Sequence, residues 1–284
     1  MDTELTSLRK VVSKIETIPT LPVVVTQLMS MVQNPKTSAE DVNDVILTDP
    51  GLTSKVLKLV NSAFYGFPRK IGSVTQAVVI LGFNAVRNLA LTSAVFNTFG
   101  GKGSKDFERE AFWKHSLGCG VIARMIGKHL HYRELEDVFV TGLLHDIGKI
   151  ILDQFLHDKI VTIIQVMEKN DCVMRDAEKM VIGITHAEIG EWLGKKWNLP
   201  VELTEGIRYH HFPDKARNAP LYSSIAHMSN ALCRVKKIGR SGDDKIPTIN
   251  KESLKILKLN QDVIEGILGG IDEEMEKAKV FLEV

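Results

Sequence analysis

Hydrophobic positions recur at three- and four-residue spacing along almost the whole chain, with no sustained alternation of apolar and polar residues. That periodicity belongs to amphipathic helices and not to half-buried strands, so an all-α protein is expected. Pro22 sits in the first turn of a predicted helix over about 22–33, with Val25, Leu28, Met29 and Val32 on one face. Asn34-Pro35 stops it. Ser38-Ala39-Glu40-Asp41 reads as a capping box opening a helix that turns Val42, Val45 and Ile46 inward and closes at Asp49-Pro50. Pro50 starts the next, carrying Leu52, Val56, Leu59, Val60 and Ala63. Ser73-Val74-Thr75-Gln76 repeats the capping logic, and Gly82 bends or breaks the apolar run that follows.

Three glycines within Gly100-Gly101-Lys102-Gly103-Ser104 mark the best internal boundary. Beyond it the spacing predicts helices over about 106–130, 134–152 and 157–169. Thr185-His186-Ala187-Glu188 is a further capping box and places His186 in the first turn of a helix ending near Trp197. Pro200 opens another helix, ended by Phe212-Pro213, and one over about 220–237 follows. A Gly-Ser-Asp stretch over 239–244 leads into a charged amphipathic tail. The expected organisation is therefore 1–100, 105–238 and a C-terminal helical tail over 239–284, with no repeats and no low-complexity tract.

Composition narrows the function classes. The 284 residues are 44% hydrophobic and 25% charged, and 36 Lys plus Arg against 35 Asp plus Glu leave a formal charge of +1. A nucleic-acid partner is not expected, because a polyanion-binding surface needs a basic excess. A membrane span is not expected either, since the longest apolar stretch, around 77–96, carries Asn84, Arg87 and Asn88. Met1-Asp2-Thr3-Glu4 lacks the basic and apolar regions of a secretory leader. Cys119, Cys172 and Cys233 lie far apart with no CxxC pair, which suits a reducing cytoplasm.

Nine histidines in a chain with four tyrosines then call for an explanation. His115 falls on a stripe with Phe112, Cys119, Ile122 and Ile126 and is expected to point inward, where it needs a polar partner. His145 and Asp146 stand side by side in Gly142-Leu143-Leu144-His145-Asp146-Ile147-Gly148-Lys149, inside a strongly apolar helix, with Gly142 allowing a close helix approach. Successive helix positions differ by about 100°, so both can lean toward one point. Imidazole nitrogen and carboxylate oxygen are ligands for Zn, Mn or Fe, and the two oxygens of Asp146 can serve two ions. His186 at a helix start and His210-His211 at a helix end follow; His227 and Asn230 lie mid-helix. Taken singly, His115 is more often a hydrogen-bonded core residue, His-Asp is a short match, and His210-His211 is as readily a capping pair. Together they point to a metal site. Lys149, one turn after His145-Asp146, is placed either to neutralise phosphate oxygens or to complement a helix dipole. His129, His131 and His157 read as surface residues.

The order His115, His145-Asp146-Ile147-Gly148-Lys149, His186, His210-His211 resembles the HD superfamily of all-helical metal-dependent phosphohydrolases, especially the branch with cyclic-dinucleotide phosphodiesterases. Ile18-Pro19-Thr20-Leu21-Pro22, Thr48-Asp49-Pro50-Gly51-Leu52, Leu59-Val60-Asn61-Ser62-Ala63-Phe64-Tyr65-Gly66 and Ala77-Val78-Val79-Ile80-Leu81-Gly82 look like the HDOD domain, a bacterial signalling module related to those enzymes. The resemblance spans about residues 15–235. It implies an N-terminal helical bundle over 1–100 packed on an HD-like bundle over 105–238.

It also implies ligand sets: His115, His145 and Asp146 for one ion, and Asp146, His186, His210 and His211 for a second. One or two ions of Fe, Mn or Zn are thus expected, with Asp146 and Lys149 as catalytic candidates. Two departures stand out. Asn230 occupies the place of a late metal-binding Asp, and Phe212-Pro213-Asp214 replaces the Gly-Tyr-Pro loop of cyclic di-GMP phosphodiesterases. The expected role is a cytoplasmic regulatory protein with a metal-bearing HD-type site, working with signalling proteins or a small phosphorylated ligand. A metal-dependent phosphohydrolase acting on a nucleotide or cyclic dinucleotide is the alternative, and a metal-free helical scaffold is a third reading.

Overall fold

A computed structural model describes residues 20–31, 36–101, 103 and 107–283. Among these residues the regular structure is helical, with no strand, as the periodicity requires. The N-terminal helices are α1 (Val23–Met31), α2 (Ala39–Leu47), α3 (Pro50–Val60), α4 (Val74–Leu81) and α5 (Phe83–Phe99). Ile18-Pro19 and the stop at Asn34-Pro35 lie outside the described residues. Both local start signals work as chemistry demands. Ser38 and Asp41 form a reciprocal capping box, and Asp49 caps α3 through the Leu52 amide with Pro50 in the first turn. At Ser73 the box is half formed. Its hydroxyl accepts from the Gln76 amide, while Gln76 turns its own oxygen to the Gly72 amide, 2.9 Å away. Gly82 separates α4 from α5 at φ 88°, a conformation other residues rarely adopt.

The second bundle contains α6 (Arg109–His129), α7 (Leu135–Leu144), α8 (Ile147–Phe155), α9 (His157–Asn170), α10 (Met174–Ile182), α11 (His186–Lys196), α12 (Val201–Tyr209) and α13 (Pro220–Val235). One expectation needs correcting: the helix over 134–152 is two helices, interrupted at His145-Asp146. The reason is tertiary. A Cβ on Gly142 would lie 2.5 Å from the Cys119 carbonyl oxygen of α6, and one on Gly148 would lie 2.0 Å from the His186 carbonyl oxygen of α11. The chain is pressed against two different helices on either side of the break, and one straight helix does not serve both. The α10 helix was not read from the sequence at all.

The bundles are joined through α5 and α7. Arg87 and Asn88, polar residues that weigh against a membrane span, are buried at this joint, and both donate to Asp137, with Arg87 Nη2 at 3.1 Å. Beside them Tyr65 donates to Glu136 at 2.7 Å, and Arg124 pairs with the same carboxylate at 3.2 Å. Among the described residues no helix is long and apolar enough to cross a membrane. The tail folds back as α14 (Lys251–Ile256), α15 (Gln261–Ala278) and a final 3-10 turn (Lys279–Glu283). α15 packs on α6, and Phe281 is fully buried against Phe64 and Phe139.

Candidate metal centre

The break between α7 and α8 is where the chemistry gathers. His145 ends α7 and donates from Nδ1 to the Gly142 carbonyl at 2.7 Å, which fixes its ring and turns Nε2 inward. Asp146 follows at φ −102°, ψ 10°, with no exposed surface. His210 repeats the arrangement at the end of α12: Nδ1 donates to the Ile207 carbonyl at 2.7 Å and Nε2 points inward. His186 enters from the capped start of α11. The two helix ends and one helix start therefore aim short, fixed side chains at one point.

The distances define a contiguous set. Around Asp146, Nε2 of His145 lies 3.2 Å from Oδ2, and Nε2 of His186 and of His210 lie 3.1 and 3.5 Å from Oδ1. His211 Nε2 is 2.9 Å from His186 Nε2, and the His210 and His211 rings are 4.0 Å apart. His115 sits behind His145, ring centroids 5.6 Å apart. Donor atoms of Asp146, His186, His210 and His211 form one compact group, and those of His115, His145 and Asp146 form another. The structure thus brings all six sequence-chosen histidine and aspartate positions together. His211 alone among them is partly exposed.

Three inward atoms are buried without a hydrogen bond: His145 Nε2, Asp146 Oδ1 and His210 Nε2. Each unpaired buried group costs about 1–3 kcal/mol. His145 Nε2 and His210 Nε2 belong to the two donor groups that share Asp146, so each group offers unused lone pairs to a cation. Protonation favours the same use. Burial lowers the basicity of His145, His210 and His211, the neighbouring imidazoles adding to it for the last two, so their nitrogens carry lone pairs. Burial alone would lift the Asp146 carboxyl, but His145, Lys149 and His186 reverse that and hold it well below the carboxylate range. Burial likewise opposes charge on His186, yet the Glu178 carboxylate outweighs it and raises the imidazole.

Glu178 is a residue that sequence reasoning missed. It is fully buried on α10, accepts from the His186 amide at 2.9 Å and from Nδ1 at 2.7 Å, and so directs Nε2 toward Asp146. A carboxylate behind a histidine is the usual orienting device of metal ligands. Its sequence signal was one acid beside Ala177 on the inner side of a helix, too slight to single out.

The remaining candidates are placed differently. Lys149 is 1% exposed, and its ammonium donates to Asp146 Oδ2 and to the Ser241 carbonyl, both at 2.7 Å. A phosphate reaches it only if the segment around Ser241 moves. Asn230 gives its Oδ1 to Arg234 Nε at 3.0 Å, and Arg234 in turn holds Asp243 and the Lys245 carbonyl. The oxygen standing where an Asp ligand was expected is therefore committed to a cation of the protein itself. Both ring nitrogens of His227 are engaged elsewhere: Nδ1 donates to the His210 carbonyl at 2.9 Å, and Nε2 accepts from the Asn250 amide at 3.0 Å. His129 and His131 are at the surface end of α6, and His157, 42% exposed, faces Asp153.

Two cavities adjoin His211. One of about 220 Å³ is lined by Arg175, Lys179, Arg208 and Lys215 together with Glu188 and Asp176. The other, about 540 Å³, opens between Phe212, Asp214, His227 and the 245–250 segment. The Phe212 ring, which lines both, carries the Arg175 guanidinium at 4.7 Å and the Lys215 ammonium at 4.3 Å.

A sequence profile of the HDOD domain matches residues 18–213. A protein of uncharacterized role from Treponema pallidum (strain Nichols) is 26% identical over 221 residues, 76% of this chain but only 42% of that protein, so the chain spans about two-fifths of its relative. Among solved structures, an HDOD domain protein of unknown function from Geobacter sulfurreducens superposes with a TM-score of 0.82 at 25% identity, covering 98% of each chain. A candidate phosphohydrolase from Shewanella amazonensis SB2B gives 0.72 at 24% identity, over 95% of this chain and 97% of that one. A candidate signal transduction protein from Marinobacter aquaeolei VT8 gives 0.75 at 20% identity, over 99% of this chain and 66% of the other.

Proposed function

The chain belongs to the HDOD family, and from that premise we propose that it is a cytoplasmic regulatory protein whose HD-type group holds one or two transition-metal ions and ties its helices together. The observation that carries this reading is the set of orphaned inward atoms on His145, Asp146 and His210. Asp146, His186, His210 and His211 would hold one ion; His115, His145 and Asp146 would hold a second if two are bound. When bound, such an ion supplies Lewis-acid chemistry toward an oxygen ligand. The residues themselves orient and neutralise: Glu178 aims His186, Lys149 balances Asp146, and Ser241 keeps Lys149 in place.

Regulation is favoured over turnover by two features. Arg234 occupies the Asn230 oxygen, and the Lys149 ammonium is sealed beneath the 239–244 segment. The partner in this reading is a signalling protein or a small phosphorylated ligand engaged at the His211 face. Because ligands on five helices or helix ends meet at this group, metal binding is folding free energy. Chelator treatment of metal-loaded protein is therefore expected to lower Tm. At free metal about 100 times Kd the loss is about 2.7 kcal/mol, or on the order of 5 °C. An unchanged Tm in differential scanning calorimetry removes the structural role.

A second reading rests on the small cavity whose Arg175, Lys179, Arg208 and Lys215 flank His211. Four cations beside two carboxylates suit a phosphate ester, and the protein would then be a metal-dependent phosphohydrolase acting on a nucleotide or cyclic dinucleotide. Assaying metal-loaded protein on a panel of both, with His145→Ala beside it, decides the matter. Cleavage lost in the variant supports hydrolysis, and no cleavage by either protein dismisses it.

A further inference from the structure

His115 also has sulphur beside both of its ring nitrogens. Cys119 lies one turn along α6, and Cys233 reaches across from α13; all three side chains are buried, at 1% exposure or less. Cys119 Sγ stands 3.4 Å from His115 Nε2, and Cys233 Sγ stands 3.5 Å from Nδ1. The Ile238 carbonyl oxygen completes the cluster, 3.3 Å from Nδ1 and 3.6 Å from Cys233 Sγ. One donor atom from each of the three side chains lies within 4.8 Å of the other two. All three cysteines of the chain are free.

We propose that His115, Cys119 and Cys233 form a second kind of metal site in this protein, selective for a thiophilic cation such as zinc, with the Ile238 carbonyl at the fourth position.

Three of the four donors have the spacing of a zinc shell, and Cys119 Sγ lies within 4.8 Å of the other two side-chain donors. Zinc takes sulphur at about 2.3 Å and nitrogen or oxygen at about 2.0–2.2 Å, so tetrahedral neighbours stand about 3.3–3.8 Å apart. Nδ1 of His115, Sγ of Cys233 and the Ile238 oxygen form a triangle with edges of 3.5, 3.6 and 3.3 Å. The four-residue step from His115 to Cys119 puts both on one face of α6, turned toward α13. Thiolate donors set this cluster apart from the neighbouring group, which offers only nitrogen and oxygen; sulphur favours zinc over manganese or magnesium. Thiolate is the ligand, so uptake displaces the thiol protons to solvent and involves no electron transfer. His115 belongs to both groups. Giving Nδ1 to zinc withdraws it from His145 and Asp146 and leaves Asp146, His186, His210 and His211 as the other site. The sulphur site does not rest on the proposed function, because none of its other donors is shared.

Metal-free full-length protein titrated with cobalt(II) tests it. A thiolate-to-cobalt charge-transfer band in the near ultraviolet is expected in the unsubstituted protein, in Asp146→Asn and in Cys172→Ser, and its loss is expected in Cys119→Ser/Cys233→Ser. Zinc X-ray absorption on the unsubstituted protein gives the same answer with no variant, as sulphur neighbours at about 2.3 Å, should the double variant fail to fold. Bound metal with only nitrogen and oxygen neighbours overturns the sulphur site and leaves the His/Asp reading standing. A sulphur signal at one equivalent, identical in Asp146→Asn, supports the sulphur site and overturns the His/Asp reading. Absence of any metal uptake overturns both.

Discussion

Asp146→Ala is expected to lose about 3–5 kcal/mol of unfolding free energy, the usual result of removing one partner from a buried ion pair. The Lys149 ammonium, 2.7 Å from Asp146 and 1% exposed, would keep only the neutral Ser241 oxygens as partners. His186 would lose its second acidic neighbour. Urea denaturation of apo protein measures the loss, and Asp146→Ala/Lys149→Met should recover part of it, since the stranded charge is then gone. A single variant within 1 kcal/mol of wild type would refute the placement of Asp146 as the hub. The pH dependence has a definite sign. The native Asp146 carboxyl titrates well below its unfolded value of about 3.9. Its stabilisation is therefore full above that value and disappears as pH falls through the native one. Asp146→Ala should show a correspondingly shallower loss of stability in acid.

Phe281→Ala is the other large effect, about 3–5 kcal/mol, as for a buried phenyl ring whose cavity cannot collapse. Phe281 meets Phe64 edge-on at 5.1 Å and Phe139 at 5.0 Å, and Arg124 lies 4.4 Å above the Phe64 ring. One ring thus closes a cluster built from the first bundle, the second bundle and the C-terminal turn. Urea midpoints for Phe281→Ala and for a chain ending at Ala278 should fall together. If both stay within 1 kcal/mol of wild type, the tail is an appendage and the cluster contributes nothing.

What was legible in the sequence was whatever local chemistry decides. Ser38 with Asp41, Thr185 with Glu188, and Pro50 and Pro220 in first turns mark helix starts because the groups that satisfy the free amides are neighbours in the chain. The histidine set was legible because its members are rare residue types in a family order, and the structure brings His115, His145, Asp146, His186, His210 and His211 into contact range. The break at His145-Asp146 was not legible. Leu143, Leu144, Ile147, Ile150 and Ile151 keep helical spacing straight through it, and the cause lies in Cys119 and His186, residues of other helices. Glu178 and the Cys119–His115–Cys233 cluster were hidden for the same reason. Their partners are distant in sequence, and a buried acid or thiol looks like any other until the helix opposite is known. Lys149 shows the converse case: it stands one turn after Asp146 in the sequence, yet only the fold reveals that it pairs with that carboxylate and that Ser241 covers it.

The central claim is that the His/Asp group holds a metal. Elemental analysis of protein purified without an affinity tag, with Asp146→Asn prepared in parallel, tests it most directly. The account predicts at least one equivalent of iron, manganese or zinc in the native protein that is lost from Asp146→Asn; any equivalent at the sulphur cluster persists in both. Folded native protein whose metal content matches that of Asp146→Asn, whether zero or one, would contradict it.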